Sequence, residues 1–420
     1  MKAKRDFFYD IGRLYTLRGA AKKGSRHVQE QDLSSIDKAA LLVIGGKIAW
    51  VGREKAAPSE IVKGAVRHSL AGAKIIPALI ESHTHLLFAG NRAGEFERRN
   101  RGETYQSIAA SGGGIRSTVA ATRKVSEEHL LEIAQARIER FLRQGVATVE
   151  VKSGYGLSAA SELKMLKVAG KIRRARVVRT FLGAHAIAPE ARDAESYIED
   201  LVTNILPQVA NERLATRADI FVEKGYFSIE LARRYLSCAR DLGFSLVVHA
   251  DQLSRTGGAL LAVEMANKLA KTGRSCTAEH LLQITAGDMS RLAKSEVTCG
   301  LLPTSDLYMN CPYPNARGLI DRGARVALAT DFNPGTSPSG DVALVGLLAR
   351  LQMKMTLPEV LAAYTTGAAH AVGLQDQIGS LEVGKSADFA VLDGDLEDCF
   401  YDVGRMPVTH LFAAGRCLVK

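Results

Sequence analysis

The sequence has 420 residues, of which 46% are hydrophobic and 24% charged, and its formal net charge is +10. This is a globular composition, with enough length for one large domain or two to three smaller ones. The basic residues are scattered, without a Lys/Arg tail or interleaved aromatic residues, which argues against nucleic-acid binding. A positive field would still speed the arrival of a carboxylate substrate.

The chain starts with MKAKRDFFYDIGRLY, which lacks the apolar core of a signal peptide. No stretch of the sequence approaches the roughly 20 apolar residues of a membrane-spanning helix. The six cysteines are far apart and form no CxxC pair. This usage is typical of a reducing compartment rather than of a disulfide framework or a Cys-based zinc site. We therefore expect a cytoplasmic protein with no membrane partner.

Both ends of the chain have β-like patterns. ALLVIGGKIAWVG (40–52) alternates as a hairpin does and turns at Gly45-Gly46. The segments 379–393 and 408–420 also consist of short apolar runs separated by glycine turns. We predict that residues 1–75 and 385–420 together build one small β-sandwich domain.

The middle of the chain, residues 76–384, alternates between short apolar β-like runs and helical segments. The eight runs are KIIPALI (74–80), VATVEV (146–151), RVVRTFL (176–182), ADIFV (218–222), FSLVVHA (244–250), SCTAEHL (275–281), EVTCGLL (296–302) and ARVALAT (324–330). Strand–helix alternation with nearly continuous hydrophobic strands is typical of a parallel sheet. Eight repeats predict an α/β fold with a (β/α)₈ TIM-like barrel, whose loop insertions account for the extra length.

In such a barrel the active site lies at the carboxyl ends of the strands. His83 and His85 follow the first run, and alternate residues of a strand point to the same side. His249 follows the fifth run and Asp331 follows the eighth. Three imidazoles and one carboxylate are suitable ligands for Zn or Fe, and such a set leaves a position open for water.

Other polar residues also follow these runs. His185 follows the third run and His280 the sixth. With His83, His85 and His249, five of the ten histidines therefore lie at the ends of the runs. Lys152, after the second run, is either a carbamylated bridge for a second metal or a structural residue, and the structural interpretation is favoured.

These features resemble the amidohydrolase superfamily and, within it, the imidazolonepropionase family. The motifs that carry the resemblance are SHTHLLFAGNRAGEF, GGGIRSTVAATR, VEVKSGYGL, FLGAHA, FVEKGYFS, VHADQLS, ATDFNPGTSP and GSLEVGKSADFAVLD. NPGTSP and KSGYGL are more specific than the HxH pair, which many amidohydrolases share.

The resemblance implies one Zn or Fe ion per subunit, held by His83, His85, His249 and Asp331. It implies three catalytic residues, which are Asp331, His280 and His185. It also implies a set of substrate-binding residues: Arg92 and Tyr155 for a propionate carboxylate, His185 and Gln252 for the imidazolone ring, and Asn333, Gly335 and Thr336 along the site.

The implied activity is metal-dependent hydrolysis of the cyclic amide of 4-imidazolone-5-propanoate to N-formimidoyl-L-glutamate, in histidine degradation. The partners implied are this small molecule and a second copy of the chain in a homodimer. Two alternatives stay open at this point: another hydrolase or deaminase of a small heterocycle, and a metal-free scaffold of the same fold.

The sequence departs from the common family pattern in several places. Ala78, Glu81, Ala188 and Glu279 replace the more usual residues, and the segment 301–319 matches poorly. We assign no role within 301–319.

Overall fold

The computed structural model describes residues 4–103, 107 and 112–420. Their strands form two eight-stranded sheets. The first, the terminal sheet, contains β1 (Arg5–Tyr15), β2 (Ser35–Ile44), β3 (Lys47–Arg53), β4 (Val66–Ser69), β5 (Lys74–Pro77), β14 (Phe389–Leu392), β15 (Val408–Ala413) and β16 (Arg416–Val419). The second, the barrel sheet, contains β6 (Leu79–Glu81), β7 (Val146–Lys152), β8 (Arg176–Ala184), β9 (Arg217–Val222), β10 (Ser245–Ala250), β11 (Cys276–His280), β12 (Thr298–Leu301) and β13 (Arg325–Leu328).

The helices of the described residues lie mainly between the barrel strands. They are α1 (Arg18–Lys22), α2 (Ser59–Val62), α3 (Ala93–Asn100), α4 (Ile115–Lys124), α5 (Glu127–Leu142), α6 (Ala159–Lys171), α7 (Ala194–Asp200), α8 (Leu206–Asn211), α9 (Ile229–Asp241), α10 (Gly258–Leu269), α11 (Ala286–Ala293), α12 (Pro303–Met309), α13 (Ala316–Asp321), α14 (Val342–Leu351), α15 (Leu357–Ala362) and α16 (Ala368–Ala371). None of the helices in the described part of the chain is both long and apolar enough to cross a membrane.

The terminal sheet joins the two ends of the chain. Its strands run in the order β16-β15-β14-β5-β1-β2-β3, and β4 pairs in parallel with Asp6–Tyr9 of β1. Phe8 of β1 packs edge-on against Phe389 and Phe412, with ring centroids 5.1 Å apart in each pair. Residues about 400 positions apart in the sequence therefore share one apolar core, as we predicted from the similar patterns of the two ends.

The barrel sheet is parallel, in the order β13-β12-β11-β10-β9-β8-β7-β6. Every residue of β7 and β9 is buried, because one face of the sheet lines the barrel interior and helices cover the other. The two edge strands meet beyond their carboxyl ends, where the His85 N–H donates to the Phe332 carbonyl at 2.9 Å. The predicted fold class is thus confirmed.

The first apolar run, 74–80, differs from its prediction as a single barrel strand. Residues Lys74–Pro77 pair with β14 in the terminal sheet, and the barrel begins at Leu79. Pro77 has no N–H to continue a ladder, and the next N–H, of Ala78, donates to the Asp388 carbonyl at 3.0 Å. The chain therefore changes sheets at Ala78.

Candidate metal and active site

A cavity of about 530 Å³ opens at the carboxyl end of the barrel. Ten of the residues predicted for the site line its wall: His85, Arg92, Tyr155, His185, His249, Gln252, His280, Asp331, Asn333 and Thr336. His83 is completely buried and lies next to this wall through its contacts with His85 and Asp331. The structure thus brings together residues from six different barrel strands and their loops.

The four predicted metal ligands converge at the base of the cavity. The Nε2 atoms of His83 and His85 lie 3.5 and 3.3 Å from Asp331 Oδ1. His249 Nε2 lies 3.4 Å from His85 Nε2. His83, His85 and Asp331 could hold a metal ion, and so could the overlapping group of His83, His249 and His280, since in each the ligand atoms lie within 4.8 Å of one another.

The chemistry of these donors fits a divalent metal. His83 Nε2 and Asp331 Oδ1 are buried without a hydrogen-bond partner among the described residues. Burying such atoms unsatisfied costs about 1–3 kcal/mol each, and a cation bound between them would offset that cost. The donor set of imidazole nitrogens and one carboxylate oxygen is the one that such metals prefer.

The charges around the donors also favour a cation. Burial opposes protonation of His83, but Asp331 and Glu279 outweigh it and raise the pKa of His83 to about 9. Burial lowers the pKa of His85 to about 4 and that of His280 to about 3. His85 and His280 are therefore neutral at pH 7, which is the form that binds a metal.

Carboxylates behind two of the histidines orient their rings. Asp219 Oδ1 lies 3.0 Å from His249 Nδ1, and Glu279 Oε2 lies 3.5 Å from His83 Nδ1. Each carboxylate lies next to Nδ1 of its histidine, so Nε2 of that ring faces the other proposed metal ligands. This arrangement is common around metal-binding histidines. Sequence reasoning missed Asp219 and gave Glu279 no role, because both act across strands.

Lys152 is fully buried between two carboxylates. Its Nζ lies 2.9 Å from Glu150 Oε1 and 2.9 Å from Asp219 Oδ2. Burial lowers the pKa of an ammonium, but here Asp219 and Glu150 outweigh burial and raise it. Carbamylation requires a neutral amine, so this pairing supports the structural interpretation of Lys152.

Arg92 lies at the wall of the cavity beside α3. Its Nε donates to Glu95 Oε2 at 2.7 Å, and Glu95 Oε1 in turn accepts from the Gly114 N–H at 2.9 Å. A Cβ added to Gly335 would lie 2.0 Å from Arg92 Nη1. Gly335 does not line the cavity itself, but its missing side chain gives Arg92 the space to reach the wall.

Asn333 shapes the loop that follows Asp331. Its Nδ2 donates to the Asp331 carbonyl at 2.7 Å, and its Oδ1 accepts from the N–H groups of Gly335 and Thr336, each at 2.8 Å. An Asn side chain that binds neighbouring backbone groups in this way closes a tight turn. The NPGTSP motif is therefore a rigid turn that fixes both Asp331 and Thr336 at the cavity.

His185 stacks on His85, with ring centroids 4.8 Å apart. Its Nδ1 lies 3.0 Å from the Gly154 carbonyl oxygen, so Nδ1 carries the proton and donates it there. Burial holds the pKa of His185 well below 6.5. The ring is thus neutral at pH 7, and its Nε2 is an acceptor.

Known proteins are similar to this chain over nearly its whole length. The model of the amidohydrolase family matches residues 89–417. The imidazolonepropionase of Bdellovibrio bacteriovorus is 50% identical over 409 residues, covering 97% of this chain and 95% of that protein. The imidazolonepropionase of Symbiobacterium thermophilum is 41% identical over 417 residues, covering 97% and 96%.

The chain belongs to the imidazolonepropionase family of amidohydrolases.

Solved structures confirm the amidohydrolase fold. A zinc-bound adenosine deaminase from Xanthomonas campestris superimposes with a TM-score of 0.73 at 19% identity, covering 98% of this chain and 92% of that one. The guanine deaminase of E. coli has a TM-score of 0.70 at 18% identity, covering 99% of each chain.

Several residues that line the cavity of this imidazolonepropionase-family protein were not predicted from the sequence. They are Arg99, Glu103, Ile115, Phe221, Tyr226, Leu253 and Met309. Arg99 was one of several basic residues in the run ERRNR and had no distinguishing neighbour in the sequence. Met309 belongs to the segment 301–319, for which the motifs provided no comparison.

Proposed function

We propose that this chain hydrolyses the cyclic amide bond of 4-imidazolone-5-propanoate and releases N-formimidoyl-L-glutamate, as a step of histidine degradation. One observation carries the proposal. In a member of the imidazolonepropionase family, His83, His85, His249 and Asp331 converge at the base of a cavity that Arg92 and Tyr155 also line.

The proposed ligands of the metal are His83, His85, His249 and Asp331, and the proposed ion is a single Zn or Fe. Imidazole and carboxylate accept both metals, so the ligand set does not select between them. When bound there, the ion would supply Lewis acidity, which polarises a carbonyl oxygen and lowers the pKa of water to about 7.

Arg92 and Tyr155 are the proposed partners of the substrate's propionate. Arg92 is held at the wall by Glu95, and a guanidinium matches a carboxylate in charge and in planar geometry. Arg92, Tyr155, His85 and Asp331 line the same cavity, so a propionate bound by Arg92 and Tyr155 would hold the ring inside it.

His185 and Gln252 are the proposed partners of the ring. Because Nδ1 of the neutral His185 donates to Gly154, its Nε2 accepts a hydrogen bond from a ring N–H and does not donate to a developing oxyanion. The Gln252 amide both donates and accepts, so it orients the ring without moving protons. His280 is then the histidine left to donate to the carbonyl oxygen as charge develops.

Asp331 is the proposed proton carrier. The nearby imidazoles of His83 and His85 outweigh burial and hold the pKa of Asp331 well below 3.8, so the carboxylate is ionised at pH 7. It would accept a proton from the attacking water and pass it to the departing ring nitrogen, which is general acid–base catalysis by one group in two steps.

The test combines an ultraviolet assay with elemental analysis of the same sample. Imidazolonepropionate is generated in situ from urocanate, and its absorbance is followed with and without the protein. We expect the absorbance to fall only when metal is bound, and about one metal ion per chain. His85→Ala should neither consume the substrate nor retain the metal. Ammonia release from a purine by metal-loaded protein that leaves imidazolone intact would instead establish a deaminase.

Homodimerisation, which the family resemblance implies, and a cytoplasmic location, which the sequence indicates, stay predictions. Sedimentation velocity measures the first, and a single species at 45.2 kDa would contradict it.

A further inference from the structure

Glu279 and Gly300 occupy facing positions on two neighbouring barrel strands. They are registered partners in the parallel pair β11–β12. A Cβ added to Gly300 would lie 1.6 Å from Glu279 Oε2 and 2.5 Å from its carboxyl carbon. No side chain can therefore stand at residue 300 while Glu279 keeps its position.

Backbone geometry does not require this glycine. Gly300 lies in the middle of a regular strand, and its φ is not among the positive values of the chain. An L-residue could adopt the same backbone. What Gly300 provides is space, and the carboxylate of Glu279 fills that space.

The carboxylate of Glu279 uses this space to contact His83. Its Oε2 lies 3.5 Å from His83 Nδ1, and both side chains are at most 2% exposed. The Glu279 carboxylate thus lies behind the imidazole whose Nε2 faces Asp331.

We propose that Glu279 and Gly300 form a positioning pair: the missing side chain of Gly300 makes room for the Glu279 carboxylate, which orients the His83 imidazole with Nε2 towards the metal position. This inference rests on the proposed role of His83 as a metal ligand. Partners of this kind, behind a ligand, typically change metal affinity by about 10–100-fold when they are removed.

The geometry makes the two residues interdependent. Gly300→Ala should push the Glu279 carboxylate away from His83. Glu279→Asp withdraws the carboxylate by one methylene, so it lengthens the contact with His83 and also empties the space beside residue 300. In the Glu279→Asp background, the methyl group added by Gly300→Ala would therefore no longer overlap with the carboxylate at residue 279.

The experiment is a double-mutant cycle on the dissociation constant of Zn²⁺, measured on the whole protein by competition with a chromophoric chelator. We expect Gly300→Ala to weaken Zn²⁺ binding about 10–100-fold in the wild-type background. In the Glu279→Asp background the same substitution should weaken it less than about threefold, which is the non-additivity of residues in contact. Equal effects in both backgrounds, or no effect in the wild type, would overturn the pair.

Control variants separate this positioning from general damage to the fold. Gly346→Ala, on the outer helix α14, also overpacks a buried site, because the added Cβ would lie 2.2 Å from the Phe400 ring. It should lower the melting temperature without changing Zn²⁺ affinity. If Gly300→Ala does not fold, Glu279→Gln keeps the shape and removes the charge, and it should weaken Zn²⁺ binding about 10-fold; unchanged affinity would contradict the proposal.

Two outcomes distinguish this inference from the proposed function. Wild-type protein that binds neither Zn²⁺ nor Fe²⁺, or His85→Ala that binds the metal as tightly as wild type, would contradict the metal site itself. Zn²⁺ binding that depends on His85 but not on Glu279 or Gly300 would contradict the positioning pair alone.

Discussion

Asp331 is a buried carboxylate, 3% exposed, at a backbone position with a φ of 51°. Aspartate is among the few L-residues that tolerate this left-handed region, and strained positions of this kind cluster at functional sites. His280, with a φ of 71°, is a second case at the end of a neighbouring barrel strand. At both residues the backbone leaves the strand geometry where the side chain has to turn into the cavity.

The first prediction concerns the carboxylate of Asp331. Asp331→Asn keeps the size of the side chain but removes the proton acceptor, so we expect kcat to fall about 10²–10⁴-fold with the fold intact. The ultraviolet assay measures kcat, and circular dichroism checks the fold.

Asp341→Asn is the matched control for this substitution. Asp341 caps α14 by accepting from the Leu344 N–H at 3.0 Å, and asparagine caps helices equally well. It should leave kcat unchanged. Wild-type kcat in metal-loaded Asp331→Asn would contradict the proton-carrier role.

The second prediction concerns Arg92. Arg92→Ala removes the guanidinium proposed to bind the propionate, a charged hydrogen bond with a net contribution of about 1.5–3 kcal/mol. We expect kcat/KM for imidazolonepropionate to fall about 10–100-fold, mainly through KM. Arg101→Ala, at the end of the same helix and with a side chain 75% exposed, should leave KM unchanged. An unaltered KM in Arg92→Ala would exclude Arg92 as the carboxylate partner.

At the scale of elements, α12 belongs to the segment 301–319, to which the sequence assigned no role. The helix begins directly after β12 and carries Met309 to the cavity wall. Its Asp306 is 1% exposed, and Oδ2 has no hydrogen-bond partner among the described residues. Burial, with a further contribution from the charge of Asp331, raises the pKa of Asp306 to about 8.

The third prediction follows from the pKa of Asp306. A folded-state pKa above the unfolded value means that the folded protein binds the proton more tightly, so stability is lost as pH rises from about 4 to 8. The amide introduced by Asp306→Asn cannot ionise. The melting temperature of this variant relative to wild type should therefore increase between pH 5 and pH 9, by at least about 2 °C.

Thermal unfolding at pH 5, 7 and 9 measures this difference. Asp321→Asn, on the exposed side of α13 with a side chain 61% exposed, is the control and should show no such trend. A difference between Asp306→Asn and wild type that stays constant over this range would show that Asp306 is ionised in the folded protein.

At the scale of the whole molecule, the amino-terminal segment is bound to the barrel at the end opposite the site. The Arg26 guanidinium donates to the carbonyls of Ala293, Gly323 and Ser295, which precede β12 and β13. Catalytic residues lie at the carboxyl ends of the barrel strands. Stability and chemistry are thus separated along the barrel axis, as in other barrels of this class.

The fourth prediction tests this separation. Arg26→Ala leaves three carbonyls without their donor, so we expect the free energy of unfolding to fall by about 2 kcal/mol while kcat and KM stay unchanged. Denaturant unfolding and the ultraviolet assay measure the two effects. Arg291→Ala, at an exposed position of α11, should change neither. A large loss of kcat in folded Arg26→Ala would show that the two ends of the barrel are coupled.

Much of this organisation was predictable from the sequence. The eight apolar runs, the β-like termini, the HxH pair and the residues after each run predicted the fold class, which is confirmed. Together with the family resemblance they also predicted ten of the side chains that line the cavity. This works because the periodicity of a strand and the residue at its end are properties of a few neighbouring positions. The family was also predicted correctly, from motifs such as KSGYGL and NPGTSP.

Only the tertiary structure decided which residues stand behind the site. Nothing near Gly335 or Gly300 in the sequence shows that their missing side chains make room for Arg92 and Glu279. The change of sheet at Ala78 depends on β14, more than 300 residues further along the chain. The sequence by itself thus determined the elements and the chemical types at their ends, because those depend on local order. Spacing, orientation and protonation of the side chains were decided by barrel closure, because they depend on contacts between distant strands.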